Sequence, residues 1–169
     1  LLVRDTVVAR NFRLTYKDQN FRFNGIFINL PEWLAGNSVI LKALGDVTCN
    51  KLVPELLFPA RSKKDSSIIN KTAYSFPGDI MLDLNFKIDN LVHKTFQAEK
   101  INGSLSYKPR ILNFKTLSLN SLDGIISGNG FIVQNTDKSF IGKGSFNYEK
   151  ININKAFVTF HNFSQNFIK

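Results

Sequence analysis

Asp79-Ile80-Met81-Leu82-Asp83-Leu84-Asn85-Phe86-Lys87-Ile88-Asp89 is the stretch whose reading decides the fold. Ile80, Leu82, Leu84, Phe86 and Ile88 fall on one side of an extended chain, and Asp83, Asn85, Lys87 and Asp89 fall on the other. A period of two is that of a β-strand with one apolar and one wet face. Reading onward, Phe96 and Ala98 keep the alternation. It then resumes one residue out of phase at Ile101, Gly103, Leu105 and Tyr107, the slip that a β-bulge near Glu99-Lys100 produces. A turn at Lys108-Pro109-Arg110 leads to Leu112 and Phe114, and a second slip leads to Leu117 and Leu119. Asp123-Gly124 marks the next turn. Strands over Ile125–Val133 and Ser139–Tyr148 follow, joined by Asn135-Thr136-Asp137-Lys138, with Phe140, Gly142, Gly144, Phe146 and Tyr148 on one face. Glycines at 128, 130, 142 and 144 weaken a flat strand and suit a sheet that curls or a backbone that comes close.

Toward the N-terminus the same alternation is broken into shorter runs. Val7 and Ala9, then Phe12, Leu14 and Tyr16, precede a polar Lys17-Asp18-Gln19-Asn20 turn, and Phe21, Phe23, Gly25 and Phe27 complete a hairpin. Pro31-Glu32-Trp33-Leu34 reads as the first turn of a short helix that Gly36 ends, and Val39–Val47 returns to strand. Two strand exits echo each other: Asp46–Val53 and Asn152–Val158 each run through Asn-Lys into an amphipathic turn of helix, Asn being a good N-cap. Leu52, Leu56 and Leu57, or Phe157, Phe160 and Phe163, would then plug an end of the sheet. Residues 60–77, rich in Ser and Lys and bordered by Pro59 and Pro77, read as a mobile loop. The expectation is one β-rich domain over 1–169: mostly β, a curled antiparallel meander, groove-like or sandwich-like, with short helices at strand ends.

The chain of 169 residues is 43% apolar with sixteen Phe, enough for a real core. A net charge of +9 favours anionic surfaces without selecting one. The single cysteine, Cys49, excludes an internal disulfide and a two-thiolate metal site. His93 and His161 have no metal-ligand neighbours at the usual spacings, so no metal and no cofactor is expected. Asp79, Asp83 and Asp89 share a strand face and read as solvated rather than catalytic. The glycines match no phosphate-binding loop, and the Asn-x-Ser/Thr triplets at Asn70, Asn102 and Asn162 are what an Asn-rich chain produces by chance. Arg10, Arg13, Lys17 and Arg22 interleave with Phe12, Tyr16, Phe21 and Phe23 as a nucleic-acid surface would, but those aromatics are on the regular apolar face, so no nucleic acid is expected. No catalytic residue is assigned, and no enzyme is expected. The chain opens on Leu1-Leu2-Val3-Arg4 with no leader and no run of about eighteen apolar residues. It reads as a fragment of a longer protein.

The segments 96–107, 111–119 and 122–130 carry glycine and apolar punctuation in the order strand, Gly-x-Leu, hairpin, Leu-x-Leu, Gly-x-x-x-Gly strand: Gly103-Ser104-Leu105, Leu117-Ser118-Leu119, Gly124 to Gly128. Over about residues 79–169 this resembles the C-terminal region of AsmA-like proteins, to which TamB and YhdP are related. The closing Ile151–Ile168, with Ala156-Phe157 and Phe160-His161-Asn162-Phe163, resembles their Bacteroidetes branch. The resemblance implies a periplasmic protein held at the inner membrane by a segment outside this chain. It implies a long apolar β-groove linked to outer-membrane biogenesis or lipid transport, with phospholipid or another envelope lipid and envelope proteins as partners. The lipid-facing candidates are Ile80, Leu82, Leu84, Phe86, Ile88, Phe96, Leu105 and Tyr107, which are equally the expected core. The alternative is a structural or protein-binding envelope domain whose apolar faces close on each other, with no ligand.

Overall fold

The computed structural model describes residues 2, 3, 5–57 and 75–160. They form one sheet whose nine strands lie in sequence order. Its strands are β1 (Leu2–Val3), β2 (Thr6–Tyr16), β3 (Gln19–Ile28), β4 (Leu41–Leu52), β5 (Ile80–His93), β6 (Phe96–Lys108), β7 (Ile111–Ser121), β8 (Gly124–Gln134) and β9 (Phe140–Glu149). Three short helices stand at strand ends: α1 (Leu30–Leu34), α2 (Pro54–Leu57) and α3 (Ile153–Thr159). None is long and apolar enough to cross a membrane. The sheet is open, with β1 and β9 as its edges, and no second sheet lies on it among the described residues. Of the two architectures expected, groove and sandwich, it is therefore a single layer.

One pairing departs from the expected antiparallel meander. β4 and β5 run parallel, Leu41 beside Ile80 through Leu52 beside Leu91, and every other neighbouring pair is antiparallel. A parallel pair needs a crossover that returns the chain to the end where both strands begin, here called the upper end. Two buried glutamines fix the described ends of that crossover. At the lower end Val53 N donates to Gln19 Oε1 at 2.8 Å; at the upper end Phe76 N donates to Gln134 Oε1 at 2.9 Å. Gln19 and Gln134 are almost wholly buried on the apolar side of the sheet, where each carboxamide oxygen accepts a backbone N–H, while Gln19 Nε2 has no partner among the described residues.

Registers confirm the alternation strand by strand. Val47, Phe86 and Gly103 stand side by side across β4, β5 and β6, and Ala43, Leu82 and Tyr107 do so nearer the upper end. Both expected slips are bulges: one extra residue between Glu99 and Asn102 against β7, and a shift around Lys115-Thr116 between Phe114 and Leu117. Lys100 takes a left-handed φ of 51°, so Ala98 and Ile101 are both buried although three residues apart. A third bulge, with Asn11 at φ 54°, lies between Ala9 and Phe12 of β2. The result is one apolar face continuous from β2 to β9.

That face is concave at its upper end. The Phe76 ring is 5.6 Å from the Tyr107 ring of β6 and 5.3 Å from the Phe140 ring of β9. A flat sheet would hold strands three apart at roughly 14 Å, so the Tyr107 and Phe140 side chains lean toward each other over Phe76. Residues 60–74 of the expected mobile loop 60–77 lie outside the described residues, but Ser75–Pro77 do not. Phe76 is fastened there by its backbone N–H and by two rings.

Helix α1 starts at Leu30, one residue before the expected Pro31, and Gly36 follows it at φ 79°. Its Trp33 Nε1 donates to Asp79 Oδ2 at 2.7 Å, which ties the helix to the start of β5. The strand-exit echo holds only in part. Asn50 is no N-cap: β4 continues to Leu52, and Asn50 Oδ1 accepts from Asn20 N at 2.7 Å. In the second exit the cap is Asn152, not Asn154, with its side chain accepting from Lys155 N. The turn expected at Asp123-Gly124 is one residue earlier, at Leu122-Asp123, both with positive φ (53° and 64°). Two positive φ values make the tight hairpin turn that follows strand twist.

Candidate functional site

The eight expected lipid-facing residues divide into two groups. Ile80, Leu82, Leu84, Phe86 and Ile88 lie half-buried along β5, flanked by the apolar side of β4 and by Leu105 and Tyr107 of β6. They form the floor at the centre of the concave face. Gly103 is required there: a Cβ on it would stand 2.8 Å from the Phe86 ring and 2.2 Å from the Thr116 carbonyl oxygen. The Phe86 ring thus lies across the sheet rather than standing up from it. Tyr107 is buried, its hydroxyl donates to the Pro77 carbonyl, and burial pushes the phenol up from its ordinary pKa.

Phe96 is elsewhere, at the lower end, where it stacks on Phe160 with ring centroids 5.9 Å apart. There α3 runs back beneath β6–β9 and closes one side of an apolar trough of about 540 Å³. Leu117 and Leu119 of β7, Ile126 of β8, and Phe146 and Tyr148 of β9 supply the sheet wall; Ala156 and Phe157 supply the helix wall. No charged side chain lines it. Phe146 lies flat because Gly128 and Gly144 flank it without side chains; a Cβ on either would come within 2.7 Å of its ring. The trough wall was not singled out in the sequence, since it is assembled from three hairpin-linked strands and a helix. Its signal was the shared face of Leu117, Leu119 and Phe146 together with the amphipathic exit into Phe157 and Phe160. Leu57 and Phe163, expected as plugs, have no described side chain.

Three polar ties hold α3 in place. Lys155 Nζ pairs with Asp123 Oδ1 at 2.6 Å, Asn152 Nδ2 donates to Asp123 Oδ2 at 3.0 Å, and Thr95 Oγ1 donates to the Thr159 carbonyl at 2.9 Å. The Lys155 hydrogen bond, then that of Asn152, lowers the Asp123 pKa below its usual value. Leu122 reaches the trough from its left-handed turn position, a strained backbone for a side chain with Cβ.

Several other titratable residues have ordinary partners. His93 Nδ1 meets Glu55 Oε1 at 2.6 Å, joining α2 to β5. Asp79 accepts from Trp33, and Asp83 pairs with Lys115 at 2.7 Å, so these carboxylates are spread along the wet face and its rim. Cys49 is buried, and burial raises its thiol pKa. Among the described residues no group of His, Cys, Asp or Glu is placed to hold a metal ion. Compared with protein-family models, curated proteins and solved structures, the chain matches none.

Proposed function

We propose that this chain is a non-enzymatic module of the bacterial cell envelope, of the AsmA-like kind, whose one-layer sheet holds lipid hydrocarbon on its concave face. The observation that carries the reading is an apolar face that no second layer covers among the described residues. Its lower end is the 540 Å³ trough, while Phe12, Leu14, Phe146 and Tyr148 on the same face are all more than two-fifths exposed. Apolar area left in water is a standing free-energy deficit that an apolar occupant relieves. Each methylene removed from water returns about 0.8 kcal/mol, so an acyl chain laid along Leu117, Leu119 and Ile126 has a large driving force before the cost of ordering it. The open single layer favours this over a structural domain closed on its own core. A periplasmic location, with an anchor outside this chain, and a part in outer-membrane biogenesis or lipid transport belong to the same proposal. They rest on the sequence resemblance.

Native mass spectrometry of protein extracted gently from a bacterial periplasm tests it. Phospholipid is expected to co-purify in defined stoichiometry, and Leu119→Asp is expected to abolish it while the circular dichroism spectrum is kept. Lipid-free protein that also takes up no phospholipid from vesicles would overturn the proposal.

A further inference from the structure

The two edges of the sheet are not equivalent. At one edge β1 covers only Thr6 and Val7 of β2, the bulge at Arg10-Asn11 breaks the line, and Thr6–Tyr16 carries two arginines and no acid. Two copies meeting there would set arginine against arginine. The other edge, β9, pairs with β8 in unbroken register over Phe140–Glu149, and all ten of its residues are exposed. It has no proline and no positive φ, and nothing among the described residues pairs its outer side. A long straight edge of this kind is a template for another strand.

We propose that β9 docks a second copy of this chain, antiparallel and edge to edge, about a two-fold axis through Phe146. Residues directly opposite in such a pair share a face. The register that sets Lys143 opposite the partner's Glu149 also sets Ser145 opposite the partner's Asn147, Gly144 opposite the partner's Tyr148, and Phe146 opposite the partner's Phe146. Two-fold symmetry makes the Lys–Glu contact twice. Polar residues meet polar ones on one face and aromatic rings meet glycine or each other on the other, as cross-strand pairing favours. Lys143 and Glu149 have no ion pair within the chain among the described residues; Glu149 accepts only a hydrogen bond from Asn147 Nδ2 at 3.1 Å. The pairing joins the apolar faces of two copies into one. It stands on the edge geometry and the charges of β9, not on the lipid reading, and its test contains no lipid.

Each copy carries a net charge of +9, which opposes association and is screened by salt. The dimer is therefore sought by sedimentation velocity of the full chain at roughly 100 μM in moderate salt. Lys143→Glu alone and Glu149→Lys alone place like charges opposite each other at both contacts, and each is expected to weaken association by about tenfold or more. An equal mixture of the two variants is expected to recover it, because every contact across the mixed pair is again Lys with Glu. Both side chains are exposed, so folding is not at stake. A monomeric wild-type chain at that concentration, single variants that associate as well as wild type, or a mixture no tighter than either variant alone would overturn the proposal.

Discussion

The centre of the sheet, β4 to β6, and its flank, β7 to β9, are written in the same period-two code and meet different fates. Leu41, Ala43, Ala98, Ile101 and Tyr107 in the centre are buried, with Ile101 only 4% exposed. On the flank Phe146 remains 45% and Tyr148 62% exposed. A single layer has no opposing sheet, so burial there is lateral: a side chain is covered by the neighbours on its own face. Central positions have Leu, Ile and Phe on both sides. The flank has Gly128 and Gly130 on β8 opposite β9, and nothing among the described residues pairs the outer side of β9. The centre therefore supplies stability, and the flank leaves apolar surface exposed.

The sharpest way to break this comparison is a pair of truncations. Ile101→Ala removes a side chain enclosed by its neighbours and is expected to cost about 2–3 kcal/mol in urea unfolding. Tyr148→Ala, at an equally apolar register position, is expected to cost less than about 0.5 kcal/mol. Equal losses would mean that the flank is as tightly covered as the centre. Gly103→Ala tests the floor itself. Its new Cβ would meet the Thr116 carbonyl as well as the Phe86 ring, and a backbone atom cannot swing aside as a side chain does. A loss of about 1–3 kcal/mol is expected, with a shifted Phe86 ring resonance; an unchanged midpoint would show that the sheet relaxes there freely.

Which faces are apolar was legible because strand alternation is local, and bulges announce themselves as slips in it, as at Lys100 and Lys115-Thr116. The direction of a strand is not local. Ile80–Ile88 alternates identically whether its neighbour runs with it or against it, so the parallel β4–β5 pair was invisible. So were the two glutamines that hold its crossover, since each acts on a residue 34 or 58 positions away. Leu122 at positive φ defied turn chemistry, which favours glycine or asparagine there. Asn50 looked like a helix cap because its side-chain chemistry suits one, and strand pairing that carried β4 on to Leu52 overrode it. The candidate floor was readable from Ile80 to Tyr107. The trough needed β7, β8, β9 and α3 brought together, which no stretch of sequence states.

The smallest effect concerns how α3 stays over that trough. Seven residues are too few to hold a helix alone in water, so its order depends on the trough contacts and on the ties to Asp123. In the folded chain the Asp123 pKa is depressed, first by the Lys155 hydrogen bond and then by that of Asn152. A depressed carboxylate stabilises the fold fully above its unfolded value, about 3.9, and loses that contribution as pH falls through the folded value. Near neutral pH the tie is intact, and acidification below about pH 4 should loosen α3 before the centre of the sheet responds. Asp123→Asn removes the charge at every pH. Amide exchange at Phe157–Phe160 should then be faster at pH 7 and lose its acid dependence, while exchange in β5 and β6 stays as in the wild type. Unaltered α3 exchange in that variant would assign the helix to its apolar contacts alone, and the flank would owe its trough to Ala156 and Phe157 rather than to the charge pair at its rim.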